Sequence, residues 1–137
     1  MKNFLRQAAP TVTLIFGMAV GALATTNLGT VAPYFGNVVA KTTAYTVSCP
    51  TDSGTEFAVN VSSTVAITLP NNGNVGCTIG VSQIGTAKVT LAAQTGGALK
   101  SSHSFTGTYG QGAFIGAHVT SNAGGSAAQW EFTGDGS

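Results

Sequence analysis

The side chains that could carry out chemistry are few in this sequence, and they are scattered along it. The imidazoles and carboxylates are those of His103, His118, Asp52, Glu56, Glu131 and Asp135. A nucleophilic serine needs a histidine and a carboxylate within hydrogen-bond reach, and it is commonly held on a G-x-S-x-G turn. No serine of this chain occurs in that pattern. The sequence therefore predicts no catalytic residues and no enzyme activity.

The remaining polar motifs are explained by local structure. Asp52, Ser53 and Gly54 are typical of a turn, in which the carboxylate accepts from a backbone N–H two residues on and the glycine takes a positive φ. Residues 107–112 contain three glycines but neither follow a strand nor open a helix, so they do not form a phosphate-binding loop. Glu131 and Asp135 would suit glycoside hydrolysis only around a cleft, and the pattern predicts none. Both histidines are expected to face solvent.

Cys49 and Cys77 fit neither a zinc site, which needs about four ligands, nor a CxxC redox motif. Both lie in segments predicted as or beside strands. A disulfide between them is expected if the chain matures in an oxidising compartment, and two buried free thiols are the alternative. No metal and no cofactor are predicted.

Charged residues make up only 7% of the chain, and the net charge is +1. An average soluble domain has about 25% charged residues, so much of this surface is expected to be covered by other copies or by a larger assembly. Lys41, Lys88 and Lys100 are far apart in sequence, and each is expected to be a solvated residue on a strand face or at a strand edge, where lysine discourages unwanted pairing. Without a basic cluster, nucleic acid is not an expected partner.

The N-terminal segment is basic at Lys2 and Arg6 and then has no charge over residues 11–24. Three interpretations stay open: an apolar arm packed into a protein assembly, a secretory signal cleaved behind Ala24, or a membrane anchor. The last is the least favoured, because a membrane span needs about 20 apolar residues. Tyr34 and Phe35 either dock on a neighbour or pack on the domain that follows. The predicted anchoring residues are Val12, Leu14, Ile15, Phe16, Tyr34 and Phe35.

From residue 38 onward, short apolar segments alternate with breakers rich in glycine, proline and asparagine. Strands are predicted at 38–47, 56–59, 64–69, 77–83, 88–92, 113–120 and 129–133. Seven short strands with frequent turns and no intervening helix predict a small antiparallel β-sandwich or barrel. The predicted organisation is an arm and linker over residues 1–36 and a β-domain over 37–137. The loops within 95–112 are the natural place for a receptor contact.

Six motifs follow one another in the β-domain. They are AYTV at 44–47, TDSGT at 51–55, VAITLP at 65–70, VGCTIGVSQIGTAKVTL at 75–91, GQGA at 110–113 and QWEFTGD at 129–135. In this order and spacing they resemble the β-domains of tailed-bacteriophage fibre and capsid-decoration proteins.

The resemblance implies a non-enzymatic virion structural protein, commonly a homotrimer, which decorates a capsid or forms part of a fibre. Its partners would be copies of itself and other virion proteins such as capsid or tail proteins, with no membrane partner. The N-terminal arm would attach it to the particle. The alternative is an exported β-domain, secreted or at the cell surface, that binds a surface glycan or protein after cleavage behind Ala24.

Overall fold

The computed structural model describes residues 35–101 and 103–137, which form nine strands and one short 3-10 turn at Ala123–Gly125. The strands are β1 (Asn37–Lys41), β2 (Tyr45–Thr46), β3 (Thr55–Val59), β4 (Val65–Leu69), β5 (Thr78–Gln83), β6 (Val89–Ala93), β7 (Ala98–Lys100), β8 (Phe114–Asn122) and β9 (Ala128–Gly134). The all-β prediction is confirmed.

Each of the seven predicted segments overlaps a strand, and the first overlaps two. β1 and β2 both overlap residues 38–47 but belong to different sheets. β7 was not predicted, because its flanking glycines and single large apolar residue, Leu99, indicated a loop.

The strands form two sheets, between which the first six strands alternate. The larger sheet has the order β1-β3-β5-β8-β9-β7, and the smaller has the order β2-β4-β6. The chain therefore crosses from one sheet to the other after every strand up to β6.

The strand directions differ from the predicted antiparallel arrangement. Five of the seven strand pairings are parallel, and only β5 with β8 and β8 with β9 are antiparallel. Parallel neighbours need a long crossover, which is usually a helix. From β1 to β6, the chain reaches the next strand of a sheet by way of a strand of the other sheet, which takes the place of the helix. Parallel pairing is therefore possible in a fold without crossover helices.

The core lies between the two sheets and is filled by the side chains that alternate inward along each strand. In β3, for example, Thr55, Phe57 and Val59 are buried, while Glu56 and Ala58 are only partly buried. The largest fully buried side chains are those of Trp130, Phe57, Phe132, Ile67, Leu69, Ile79 and Ile115.

Each lysine of the described residues lies at an edge of a sheet. Lys41 ends β1 and Lys100 ends β7, which are the two edge strands of the larger sheet. Lys88 precedes β6, an edge strand of the smaller sheet, and its Nζ donates to the backbone oxygen of Ser137 over 2.9 Å. A charged side chain at an edge opposes pairing with another strand, as the sequence predicted.

The segment at 105–109 lies along the free edge of β6. The backbone N–H of Thr108 donates to Val89 over 2.9 Å, and that of Leu91 donates to Thr106 over 2.7 Å. Thr108 also forms a bridge with Gly136, which follows β9 of the larger sheet. The segment thus connects the two sheets along one side of the domain.

A buried polar pair holds this connection in place. The Thr108 hydroxyl donates to the side-chain oxygen of Gln83 and accepts from the backbone N–H of Val89 over 3.0 Å. The Gln83 amide nitrogen donates to the Gly85 carbonyl over 3.1 Å. Both side chains are at most 1% exposed, so these hydrogen bonds offset the cost of removing them from water.

Candidate functional site

Part of the side of the larger sheet that points away from the core carries a single charge. The strand register aligns one row of Val38, Glu56, Gly80, Gly116 and Thr133, and a second row of Ala40, Ala58, Ser82 and Phe114. We call these nine residues the outer face. Glu56 is its only charged residue, and six of the nine are apolar side chains or glycines.

Small residues make the middle of the outer face flat enough for two aromatic rings to lie on it. A Cβ atom at Gly80 would come within 2.7 Å of Phe35 and 2.9 Å of Phe114. The two phenyl rings pack with their centroids 5.8 Å apart. Phe35 is 7% exposed and therefore packs on its own domain. The other predicted anchoring residues, Val12, Leu14, Ile15, Phe16 and Tyr34, lie outside the described residues.

A shallow depression of about 340 Å³ lies next to the two phenyl rings. Beyond it the outward side of the sheet becomes polar, with Thr78, His118, Glu131 and Lys100 aligned in register. The apolar part of the surface therefore ends at a defined boundary, and it extends toward the edge strand β1, where Val38 is 56% exposed.

The single carboxylate of the outer face is held by a neighbour on the adjacent strand. The Ser82 hydroxyl donates to Glu56 over 2.5 Å, and Glu56 is only partly exposed. A hydrogen bond to a carboxylate is about twice as strong as one between neutral groups, which reduces the cost of covering Glu56.

A second cluster lies where β1 and β2 meet the turn at 50–54. The Tyr45 hydroxyl donates to Asp52 over 2.9 Å, and the Lys41 ammonium lies 3.3 Å from the centroid of the Tyr45 ring. Burial raises the pKa of Tyr45, and the hydrogen bond and negative charge of Asp52 raise it further. The tyrosine hydroxyl thus stays protonated as a donor, and nothing in this arrangement activates it as a nucleophile.

The structure corrects the predicted role of Asp52 in its turn. Its carboxylate accepts from the backbone N–H of Ser48 over 2.8 Å, four residues before it, instead of from Gly54. The Gly54 N–H donates to Thr78 on the neighbouring strand, and Gly54 has the predicted positive φ of 79°. Asp52 is therefore a structural residue that fixes the turn to β2.

Cys49 and Cys77 are joined by a disulfide in the structure, with their Cα atoms 6.2 Å apart. The bond connects the turn after β2 to the residue before β5, and so it joins segments from the two sheets. Cys77 is buried and Cys49 is partly exposed. The structure thus takes the disulfide alternative of the two that the sequence left open.

Among the other titratable residues, His118 and Glu131 are neighbours across β8 and β9. His118 is exposed on β8, and His103 is exposed in the loop after β7. Glu131 lies opposite His118 on the outward side of β9, whereas Asp135 follows β9 and lines a separate cleft. Within residues 35–101 and 103–137, no group of three or more histidine, cysteine and carboxylate side chains is placed to hold a metal ion.

The outer face was not predicted from the sequence. Its members are mostly alanine, glycine, serine and valine, residue types that occur everywhere in this chain, and they come from five strands, most of them far apart in sequence. The available signal is the period-2 alternation, which shows that a strand has two faces but not which strands lie side by side. No helix in the described part of the chain is long and apolar enough to cross a membrane.

The described residues thus form an all-β domain of one mixed and one parallel sheet, in which the parallel neighbours among β1 to β6 are connected through the opposite sheet. No family model, no curated protein and no solved structure matches this chain. The fibre and decoration motifs at 44–135 therefore remain a resemblance in sequence.

Proposed function

We propose that this chain is a non-enzymatic structural module of a bacteriophage virion, which decorates a capsid or forms part of a fibre. In this proposal it associates with further copies of itself through the outer face and attaches to other virion proteins through its N-terminal arm. The observation that carries the proposal is the outer face, which has one charged residue and mostly small or apolar side chains, since such a surface is suited to packing against protein.

The composition of the outer face favours a copy of the chain as its occupant. Burial of apolar surface contributes about 25 cal/mol per Å², and small residues let a second surface approach closely. Glu56 is the only carboxylate that would be covered, and its hydrogen bond from Ser82 offsets part of the cost of removing it from water. Weak contacts of this kind become strong when many copies attach to one particle, because tethering raises the effective concentration.

Val38→Glu is expected to convert the assembled protein to a monomer. Val38 is 56% exposed on the outer face and lies directly beside Glu56 on β3, so the new carboxylate would be covered next to a like charge, which costs several kcal/mol. Sedimentation velocity of the full chain measures the effect. The matched control is Val75→Glu, because Val75 is 64% exposed in the loop before β5 and is not part of the outer face. A monomeric parent, or a Val38→Glu variant that sediments as the parent does, would contradict association through the outer face.

In purified virus particles, the chain is expected to retain its apolar N-terminal segment. The measurement is a non-reducing intact mass of the protein extracted from those particles. A mass that includes residues 2–24 supports attachment through the arm. A chain that starts at Thr25 and is found in the secreted fraction instead of in particles would overturn the virion proposal.

That second outcome would establish the alternative, an exported β-domain that binds a surface glycan or protein. The disulfide between Cys49 and Cys77 is the observation that favours it, because disulfides persist mainly in oxidising compartments. The same mass spectrum reports the bond, since the oxidised chain lacks the hydrogens of the two thiols.

A further inference from the structure

A cleft of about 490 Å³ lies at the end of the domain where the loop before β8 meets the C-terminal segment. It is lined by Tyr109, Gly110, Gln111, Gly112, Ala113, Gly134, Asp135 and Gly136. None of these residues belongs to the outer face, and neither the assembly proposal nor the core packing gives the cleft a role.

Tyr109 is the most exposed large apolar side chain of the described residues, at 78%. The other aromatic residues near this end of the domain behave differently: Phe105 and Phe132 are buried and pack edge to face with their centroids 5.1 Å apart. A ligand that covers this ring would gain about 25 cal/mol for each Å² of apolar surface buried, so the ring beside the cleft offers a ligand a surface to pack on.

The loop that carries Tyr109 is fixed by backbone hydrogen bonds. The Tyr109 N–H donates to the Asp135 carbonyl over 2.9 Å, and the Gly112 N–H donates to the Gln83 carbonyl over 2.8 Å. Because the backbone is held on both sides of the ring, little conformational entropy is lost when a ligand covers Tyr109.

The polar side chains of the cleft end in an amide and a carboxylate, which are planar groups, and they indicate a ligand with hydroxyl groups. The Gln111 amide nitrogen donates to the Ile84 carbonyl over 2.9 Å, which leaves its oxygen as an acceptor, and the Asp135 side chain is exposed. A Cβ atom at Gly110 or Gly112 would meet nothing within 4 Å, so the backbone there is open to a ligand.

We propose that this cleft binds a neutral saccharide. The C–H face of a sugar ring packs on an aromatic ring, while its hydroxyl groups pair with carboxylate and amide oxygens at the edge. A phosphate or an acidic sugar fits poorly, because the lining includes the Asp135 carboxylate and no lysine or arginine. Tyr109 would supply the stacking platform, and Asp135 and Gln111 would accept hydrogen bonds from the sugar.

The test is binding of the full chain to a printed array of neutral and sialylated oligosaccharides, followed by titration with each neutral oligosaccharide that binds. The parent is expected to bind at least one neutral oligosaccharide. It is not expected to bind the sialylated form of any oligosaccharide more tightly than the neutral form. Tyr109→Ala is expected to weaken binding roughly tenfold or more, as loss of a central aromatic contact does. Tyr109→Phe is the matched control and retains the affinity within about threefold, because the stacking ring remains.

Absence of binding to every neutral oligosaccharide would overturn the proposal, as would equal affinity of the parent and Tyr109→Ala. Stronger binding of sialylated oligosaccharides would also overturn it, since Asp135 opposes a second negative charge. The saccharide proposal does not depend on the virion proposal. Val38→Glu leaves the cleft intact and Tyr109→Ala leaves the outer face intact, so the two failures are distinguishable.

Discussion

Trp130→Ala is expected to lower the free energy of unfolding by about 4 kcal/mol. The side chain is 0% exposed and is the largest in the core. The alanine variant leaves a cavity between the sheets, and it removes the indole donor that pairs with the Pro70 carbonyl over 2.9 Å. A domain of this size is stable by only about 5 to 15 kcal/mol, so the loss is a large fraction of the total.

Trp130 is the only tryptophan of the chain, so unfolding in urea has to be followed by far-UV circular dichroism instead of intrinsic fluorescence. The control is Trp130→Phe, which keeps an aromatic ring in the core but leaves the Pro70 carbonyl without its indole partner. The free energy of unfolding that Trp130→Phe loses should lie between zero and the loss in Trp130→Ala. Equal stability of the parent and Trp130→Ala would show that the indole is not part of the core.

Removal of the disulfide is the second large effect: the double variant Cys49→Ala/Cys77→Ala is expected to lose about 3.5 kcal/mol of stability. The bond joins residues separated by 28 positions, and closing a loop of that length restricts the unfolded chain. The bond also holds the turn after β2 against the start of β5, so its loss frees one connection between the two sheets.

The control for this experiment is a reducing agent. Urea unfolding of the parent should shift by a similar amount when the reductant is added, whereas the double variant should unfold identically with and without it. If the parent and the double variant have the same stability under oxidising conditions, the bond does not stabilise the fold.

The alternation of apolar and polar residues was sufficient to predict an all-β domain and to locate eight of the nine strands within the seven predicted segments. The reason is that each strand buries one of its two faces, and a period of two is therefore present in the sequence itself. Turn chemistry was similarly local: Gly54 has a positive φ because its turn requires one, whatever the rest of the fold.

Which strands pair, and in which direction, could not be predicted from the sequence. β1 and β2 overlap a single predicted strand segment, 38–47, yet they belong to different sheets. The antiparallel prediction failed for the same reason, since the direction of a neighbour depends on where the crossover passes and not on the residues of either strand.

The candidate sites, like the pairing of strands, could not be predicted from the sequence. Tyr109 was only one weak anchor in an uncertain stretch, and its position beside Asp135 depends on the bridge between Thr108 and the C-terminal segment. That bridge in turn requires the buried Thr108 hydroxyl to meet Gln83, a residue that lies far earlier in the chain. The sequence by itself determined that this protein is made of short strands with little charge on its surface, because both are properties of neighbouring residues. Only the tertiary structure decided that small residues distant in sequence form the outer face, and that Tyr109 lies beside an open cleft. Both require segments far apart in the chain to be placed side by side.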